Sequence, residues 1–137
     1  PRAWLAKDSL DFSFSGLKTS VANYVHQCRQ KNKPVPIEDI CASFEQAVVD
    51  VLVEKTLCAA EQANHQQVVI GGGVAANTKL RQQLKVRCAE AGLQCFTPSP
   101  VYCTDNAAMI GLAGYFQFAA GSTVSLDADA FSRSPLN

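Results

Sequence analysis

The spacing of hydrophobic positions changes along this chain, and the changes predict alternating helices and strands. Residues 17–30 and 37–63 carry apolar side chains at three- and four-residue steps, which predicts two amphipathic helices. A short alternation of apolar and polar residues at 12–14 predicts a strand before the first of them. The predicted buried stripe of the second helix consists of Ile37, Ile40, Cys41, Phe44, Val48, Val51 and Leu52.

The second half of the chain predicts two strands that alternate with two helices. Residues 68–70 are β-branched and precede glycines, and residues 94–97 form a second strand candidate. Helices are predicted over residues 75–91 and 105–120, and the latter is apolar nearly all round, so it is predicted to be buried. This order implies a parallel pair of strands with a right-handed crossover helix, and therefore an α/β fold.

Length and composition narrow the class of protein. The 137 residues suit one domain, and 47% hydrophobic with 18% charged residues is ordinary for a globular chain. Each apolar stretch is too short to span a bilayer, and no signal-peptide pattern is present, so we expect no membrane partner and a cytoplasmic location. The first residue is Pro1, which suggests either a fragment of a longer chain or a processed chain.

Charge and cysteine content narrow the chemistry further. The formal net charge is zero, so any RNA contact must be local or supported by other parts. None of the six cysteines forms a C-x-x-C pair, which argues against a zinc ribbon. Their spread suits a reducing compartment, with a disulfide scaffold in a secreted protein as the alternative.

Three consecutive glycines at 71–73 follow a predicted strand and precede a predicted helix. Glycine backbone accepts positive φ and lets a ligand approach closely, and a helix N-terminus offers N–H groups to an anion. This arrangement favours a nucleotide, with a tight structural turn as the alternative. A Walker A loop is excluded because residues 76–78 read Ala-Asn-Thr. A dinucleotide site is disfavoured because the second strand does not end in an acidic residue.

Two polar side chains are candidates to complete such a site. Asn77 lies in the first turn predicted after the glycines, where its amide could bind a ribose or a base edge, or could cap the helix. Asp105 follows the second strand, and the carboxyl ends of parallel strands meet at one edge of a sheet. Asn77 and Asp105 could therefore face one crevice, where a carboxylate could bind a metal. Alternatively, Thr104 or Asp105 caps the next helix.

Three segments of the chain together resemble one enzyme family. They are residues 11–19 (Asp-Phe-Ser-Phe-Ser-Gly-Leu-Lys-Thr), 69–77 (Val-Ile-Gly-Gly-Gly-Val-Ala-Ala-Asn) and 102–111 (Tyr-Cys-Thr-Asp-Asn-Ala-Ala-Met-Ile-Gly). Their order and spacing are similar to those of the tRNA N6-adenosine threonylcarbamoyltransferases, formerly called O-sialoglycoprotein endopeptidases or glycoproteases. The resemblance covers residues 11–121.

The resemblance implies a fold and an activity. Residues 1–121 would form the C-terminal half of an actin-like ATPase fold, followed by a polar tail at 122–137. The family transfers a threonylcarbamoyl group from threonylcarbamoyl-adenylate to the N6 amine of the adenosine next to the tRNA anticodon. The implied partners are tRNA, an actin-like partner subunit and a separate ATPase of the modification complex.

The resemblance also implies site residues. Gly71, Gly72, Gly73 and Asn77 match the residues with which the family binds the adenine nucleotide. Asp105 matches one ligand of a single divalent metal, iron or zinc. The remaining metal ligands, two histidines four residues apart, would lie outside this chain. The chain alone is therefore expected to bind metal and nucleotide weakly and to be nearly inactive.

Other residues of the chain leave alternatives open. His26 and His65 lack the required spacing, so neither matches a metal ligand. Four basic residues of the 75–91 helix could contact RNA phosphates or could form a solvated face: Lys79, Arg81, Lys85 and Arg87.

Three further hypotheses for the function remain open. A metalloprotease is disfavoured because no H-E-x-x-H motif occurs in the sequence. The second hypothesis is a non-catalytic actin-like partner subunit, and the third is a free-standing nucleotide-binding module.

Overall fold

The computed structural model describes residues 1–6 and 9–129. The chain divides into two compact units, residues 1–103 and 104–137, and each unit is described by itself. The domain boundary predicted at residue 121 stays a prediction. None of the helices in the described part of the chain combines the length and the apolar character that a membrane span needs.

Two helices occupy the first half of unit 1, close to the predicted limits. Helix α1 spans Ser15–Gln30 and helix α2 spans Ile37–Gln62. Glu38 and Asp39 lie in the first turn of α2, where carboxylates interact favourably with the helix dipole. The predicted strand at 12–14 is reduced to one antiparallel bridge between Trp4 and Phe12.

The prediction of which α2 residues are buried is largely wrong. Of its seven residues only Val51 is buried, whereas Ile37 is 62% exposed. The buried side chains instead form two stripes on opposite faces of the helix. One stripe packs with β1 and α3 in the core, and Lys55 of the other stripe contacts the N-terminal segment, residues 1–6 and 9. The buried residues of α2 are Ala47, Val49, Val51, Val53, Lys55 and Ala60.

The two strands of unit 1 form a small parallel sheet. Strand β1 spans Gln67–Val69 and strand β2 spans Gln94–Phe96, with Val68 paired to Cys95 in the central register. Helix α3, Thr78–Glu90, connects them and packs on both α2 and β2. The predicted α/β class, with parallel strands and a crossover helix, is confirmed.

One hydrophobic core joins these elements. It contains residues of α2, β1 and α3, of which Leu84 is 1% exposed and Cys88 is fully buried. Burial raises the pKa of the Cys88 thiol to about 11, with a further contribution from the neighbouring Cys95. This core fixes the positions at which β1 and β2 end, and the candidate site residues follow those strand ends.

A buried lysine attaches the N-terminal segment to α2. Lys55 is 7% exposed, and its ammonium donates hydrogen bonds to the carbonyl oxygens of Ala6 and Ser9. Arg2 adds a salt bridge to Asp50 at 2.7 Å. A cavity of about 610 Å³ lies beside these contacts, lined in part by Trp4 and Lys55.

Unit 2 contains one helix among its described residues. Helix α4 spans Ala107–Ala119 and buries none of its side chains, so the predicted burial of this helix is wrong. Its apolar residues include Ile110, which is 68% exposed, and Phe118, which is 72% exposed. Residues 104–129 contain no second helix or strand against which α4 could pack within its own unit.

The predicted polar tail begins at residue 122. Residues 122–129 form no helix or strand. The rest of the predicted tail lies outside the described residues.

Candidate functional site

The glycine turn, residues 71–73, follows β1 directly and is open. Gly72 has φ +80° and ψ 173°, a conformation that essentially only glycine adopts at low cost. A Cβ placed on any of the three glycines would meet no heavy atom within 4 Å. The turn is therefore not filled by neighbouring side chains, and its backbone is accessible to a ligand.

The chain does not enter α3 directly from the glycine turn. A short 3₁₀ helix, Gly73–Ala76, comes first, and α3 begins at Thr78 rather than at the predicted residue 75. The 3₁₀ helix is closed by hydrogen bonds from Ala75 N to Gly72 O and from Asn77 N to Val74 O, at 3.0 Å each. Asn77 thus lies immediately before α3 rather than in its first turn.

Asn77 is the N-cap of α3, which confirms the capping alternative for this residue. Its Oδ1 accepts a hydrogen bond from Leu80 N at 2.8 Å, and its Nδ2 donates to Glu45 Oε1 at 2.8 Å. An amide group has two donor hydrogens and two acceptor lone pairs. With respect to the described residues, one donor and one acceptor position of Asn77 therefore remain for a ligand, and the two existing bonds fix the orientation of the amide.

Sequence reasoning missed Glu45. It lies on α2, 32 residues before Asn77, and its other oxygen lies 3.8 Å from Lys79 Nζ. No local pattern could have identified it, because the contact depends on how α2 packs against α3. Because it accepts a hydrogen bond from Asn77 Nδ2, Glu45 helps to fix the orientation of the Asn77 amide.

Arg81 was predicted to lie on a basic face, but the structure shows it bound to backbone. Its guanidinium donates to Ala75 O at 3.0 Å and to Pro98 O at 2.6 Å, and it contacts Cys103 Sγ at 3.7 Å. The side chain is half-buried. It therefore connects the 3₁₀ helix after the glycine turn to the segment after β2, residues 98–103.

Two of the other three basic residues of α3 are paired with carboxylates, while Lys85 is exposed. Arg87 contacts Glu54 at 3.1 Å and Glu90 at 3.5 Å, and Lys79 faces Glu45. Exposed pairs of this kind contribute little stability but neutralise charge locally. The hypothesis that four residues of this helix bind RNA phosphates loses most of its support.

Asp105 lies in unit 2 and is exposed. The N-cap of α4 is Asn106, whose Oδ1 accepts a hydrogen bond from Met109 N at 3.0 Å. The alternative that Thr104 or Asp105 caps this helix is therefore wrong. The cap geometry leaves the Asp105 carboxylate without a role in starting α4. The predicted crevice shared by Asp105 and Asn77 stays a prediction.

The metal suggested by the family resemblance needs more ligands than the described residues supply. Residues 1–6 and 9–129 contain no group of three or more His, Cys, Asp or Glu side chains that could bind a metal ion. A carboxylate oxygen suits a divalent cation, but one ligand does not make a tight site. These residues alone therefore do not fit a complete metal site.

Comparison with known proteins identifies the family. Residues 1–112 match the family model described as tRNA N6-adenosine threonylcarbamoyltransferase. Curated proteins with that name include one from Staphylococcus carnosus, 51% identical over 88% of this chain and 35% of its own length. Others are from Desulfotalea psychrophila, 51% identical over 99% of this chain, and from Moorella thermoacetica, 49% identical over 100% of it.

The chain spans only part of these relatives, about 40% of the length of the Desulfotalea and Moorella proteins. Within that part, the α/β fold with a parallel sheet is consistent with the C-terminal part of an actin-like fold. The match with the Moorella protein covers the whole of this chain, including the glycine turn. The chain belongs to the tRNA N6-adenosine threonylcarbamoyltransferase family.

Proposed function

We propose that this chain supplies the nucleotide-binding part of an enzyme that transfers a threonylcarbamoyl group from threonylcarbamoyl-adenylate to the N6 amine of the adenosine next to the tRNA anticodon. The names of the relatives support this activity, since they are tRNA N6-adenosine threonylcarbamoyltransferases. The observation that carries the proposal is the open glycine turn within the matched residues 1–112.

The glycine turn would bind the adenylate through its backbone. Positive φ at Gly72 and the open space around residues 71–73 allow close approach of a phosphate or ribose. Asn77 would use its free donor and acceptor positions for ribose hydroxyl groups, in an orientation already fixed by Glu45 and Leu80. A site oriented before binding loses less entropy when the ligand arrives.

The proposed reaction is an acyl-type transfer from a mixed anhydride to an amine. The N6 nitrogen forms a bond to the carbamoyl carbon, the bond from that carbon to the phosphate oxygen breaks, and AMP leaves. The amine proton is released. This route requires no nucleophile from the protein, and its main demand is that donor and acceptor are positioned together. The residues of this chain would contribute by fixing the adenylate end of the donor.

Asp105 is proposed as one ligand of a divalent metal, iron or zinc, with the remaining ligands outside the described residues. The support is the match of this position to the family's Cys-Thr-Asp-Asn segment and the finding that Asn106, not Asp105, caps α4. We derive no reaction step through this metal, since the described residues do not form a complete site.

The proposed partners are tRNA, an actin-like partner subunit and a separate ATPase, acting in the cytoplasm. The formal net charge of this chain is zero, and most basic residues of α3 face carboxylates or carbonyls. Affinity for tRNA depends on neutralising phosphates with basic groups. We therefore expect other parts of the full-length protein, or its partners, to supply most of the tRNA affinity.

Replacement of Gly72 tests the proposed function. The test protein is a full-length enzyme in which this chain replaces the matched 40% of the Moorella relative. With Gly72→Ala, affinity for threonylcarbamoyl-adenylate and the rate of transfer to tRNA should each fall by about tenfold or more, because the turn can no longer approach the ligand. Product is measured as threonylcarbamoyl-adenosine in hydrolysed tRNA.

Gly92→Ala is the matched control. Gly92 has φ +71°, so alanine is strained there too, but it lies at the opposite end of α3. Equal losses from both variants would contradict the proposal, because strain alone would then explain them. In the same protein, Asp105→Asn should lower bound metal, with Asp127→Asn as its control. Chelator-sensitive cleavage of a glycoprotein without transfer to tRNA would favour the protease hypothesis.

A further inference from the structure

Arg81 joins the two segments that follow the two parallel strands. On one side, its guanidinium donates to Ala75 O, inside the 3₁₀ helix that follows β1 and the glycine turn. On the other side, it donates to Pro98 O, in the segment that follows β2. These bonds, 3.0 and 2.6 Å long, span parts of the chain that are separated by 23 residues in sequence.

The partners of Arg81 are unusual for an arginine on a helix with several acidic neighbours. Among the described residues, its recorded hydrogen bonds go to two backbone carbonyls and to the Cys103 sulfur, rather than to a carboxylate. Ala75 and Cys103 are each 2% exposed. A buried carbonyl without a donor is costly, so the planar guanidinium satisfies the Ala75 carbonyl, which water would not easily reach, whereas Pro98 is half-buried.

The geometry of the contact favours arginine, because different nitrogens of its guanidinium bond the two carbonyls. A guanidinium presents its N–H groups in a fixed planar fork, so two carbonyls on different segments can be bonded at once and at a set separation. A lysine ammonium can bond two carbonyls when both lie close to its one nitrogen, as Lys55 does. It lacks the planar fork with which Arg81 bonds carbonyls of two different segments through two separate nitrogens. The replacement Arg81→Lys should therefore keep one segment in place and release the other.

We propose that Arg81 is a positioning residue that fixes the glycine turn relative to residues 98–103. These two segments, which follow the two strands, would thereby keep the separation that a bound adenylate needs. The inference rests on the proposed function, because it assigns a purpose to that separation. In open parallel sheets, ligands bind at the carboxyl ends of the strands, where both segments lie. Asp105 follows Cys103 by two residues in the sequence.

Amide hydrogen exchange on this 137-residue chain measures the effect of Arg81 directly. Four reporter amides have a single recorded hydrogen bond within the two segments: Ala75, Asn77, Tyr102 and Cys103. In Arg81→Met, exchange at these amides should rise by at least about tenfold, since losing bonds from a charged donor shifts the local opening equilibrium by that much. Amides in the middle of α2 should stay as protected as in the wild type.

Arg87→Met is the matched control. Arg87 lies on the same helix and undergoes the same change, but its ion pairs within the described part of the chain are with the exposed carboxylates of Glu54 and Glu90. It should leave the four reporter amides within about twofold of wild type. Equal exchange in Arg81→Met and wild type, or an equal rise in both methionine variants, overturns the proposal. If Arg81→Met also deprotects α2, Arg81→Lys decides: faster exchange in only one segment supports it, and no change overturns it.

A kinetic comparison separates this inference from the proposed function. In the full-length enzyme described above, Arg81→Lys should raise KM for threonylcarbamoyl-adenylate several-fold, whereas Arg87→Lys should not. Unchanged KM together with increased exchange would show a purely structural contact and overturn the positioning role. If the wild-type enzyme transfers nothing to tRNA, the proposed function fails, while the exchange result on Arg81 remains valid.

Discussion

Helices α3 and α4 start in the same way and have opposite surroundings. Each has 13 residues and an asparagine N-cap whose side-chain oxygen accepts a bond from the backbone three residues later, at 2.8 Å for Asn77 and 3.0 Å for Asn106. Yet α3 is rich in polar residues and buries three of its side chains, whereas the apolar α4 buries none.

The difference separates two kinds of sequence signal. A helix start is local, because an asparagine side chain can accept a hydrogen bond from a backbone N–H two or three residues later without any other element. Burial is not local, because it requires a neighbour at the right distance. Helix α3 has α2 and β2 as neighbours, while the described part of unit 2 offers α4 none. Apolar composition alone therefore did not predict which helix would be buried.

Truncating one leucine on each helix tests this comparison with the largest expected effect. Leu84 is 1% exposed in the core, so Leu84→Ala should lower the free energy of unfolding by about 2–5 kcal/mol. Leu112 on α4 is 59% exposed, so Leu112→Ala should change it by less than about 0.5 kcal/mol. The measurement is urea unfolding followed by fluorescence of Trp4, the one tryptophan of the chain.

The leucine pair also shows how the comparison could fail. If Leu112→Ala lowers stability as much as Leu84→Ala, then α4 makes buried contacts that its surroundings in unit 2 do not supply. If Leu84→Ala costs less than about 1 kcal/mol, the core of unit 1 is less tightly packed than the burial of its side chains indicates.

Thiol labelling compares the same two helices at a second position. The pKa of Cys88 is raised from 9.0 to about 11, first by burial and then by Cys95. At pH 8 its thiolate fraction should be about 100-fold below that of an exposed thiol introduced as Leu112→Cys. Iodoacetamide should therefore label residue 112 at least that much faster, as measured by mass spectrometry of the digested protein.

The raised pKa also predicts a direction of pH dependence. The folded state favours the protonated Cys88 thiol, so its contribution to stability is complete below pH 9.0 and is lost as the pH rises through about 11. Urea midpoints should fall over that interval, and Cys88→Val should reduce the fall. Equal labelling rates at residues 88 and 112 would show that the Cys88 thiol is as accessible as a thiol on α4, and hence that burial on α3 does not protect it.

The elements of unit 1 could largely be predicted from sequence, and their contacts could not. The ends of α2 fell within one residue of prediction, since a proline and first-turn acids mark its start. The prediction of its buried face was wrong, because a single buried stripe assumes one packing partner. The N-terminal segment also contacts this helix, through Lys55. Such a contact, 49 residues apart, leaves no periodic pattern.

The candidate site shows the same division. The glycine turn was found from three adjacent glycines after a β-branched run, and the family from the segments around it. Glu45 and the true role of Arg81 were missed, since each acts on a residue or carbonyl placed by the packing of α3. Asp105 could be singled out only by resemblance, as an exposed carboxylate carries no local signal of its own.

Replacing each of the two capping asparagines by alanine has the smallest expected effect. It tests the N-cap hydrogen bond, which is the feature that α3 and α4 share. Asn77→Ala should lower the stability reported by Trp4 by about 1 kcal/mol, because Leu80 N loses its acceptor and α3 is part of the core. Asn106→Ala removes the corresponding bond from α4, so it should reduce the helix content measured by circular dichroism. The free energy of unfolding reported by Trp4 should stay within about 0.5 kcal/mol of wild type.

Aspartate at the two caps then separates capping from the contact with Glu45. Aspartate keeps the acceptor, so Asn106→Asp should preserve α4. Asn77→Asp should preserve the bond from Leu80 N but remove the donor to Glu45 and bring two carboxylates together, so it should remain less stable than wild type. Full recovery by Asn77→Asp would show that Glu45 contributes nothing to the position of residue 77. An equal loss at Trp4 from both alanine variants would show that α4 is packed as α3 is, and the contrast between the two helices would then be wrong.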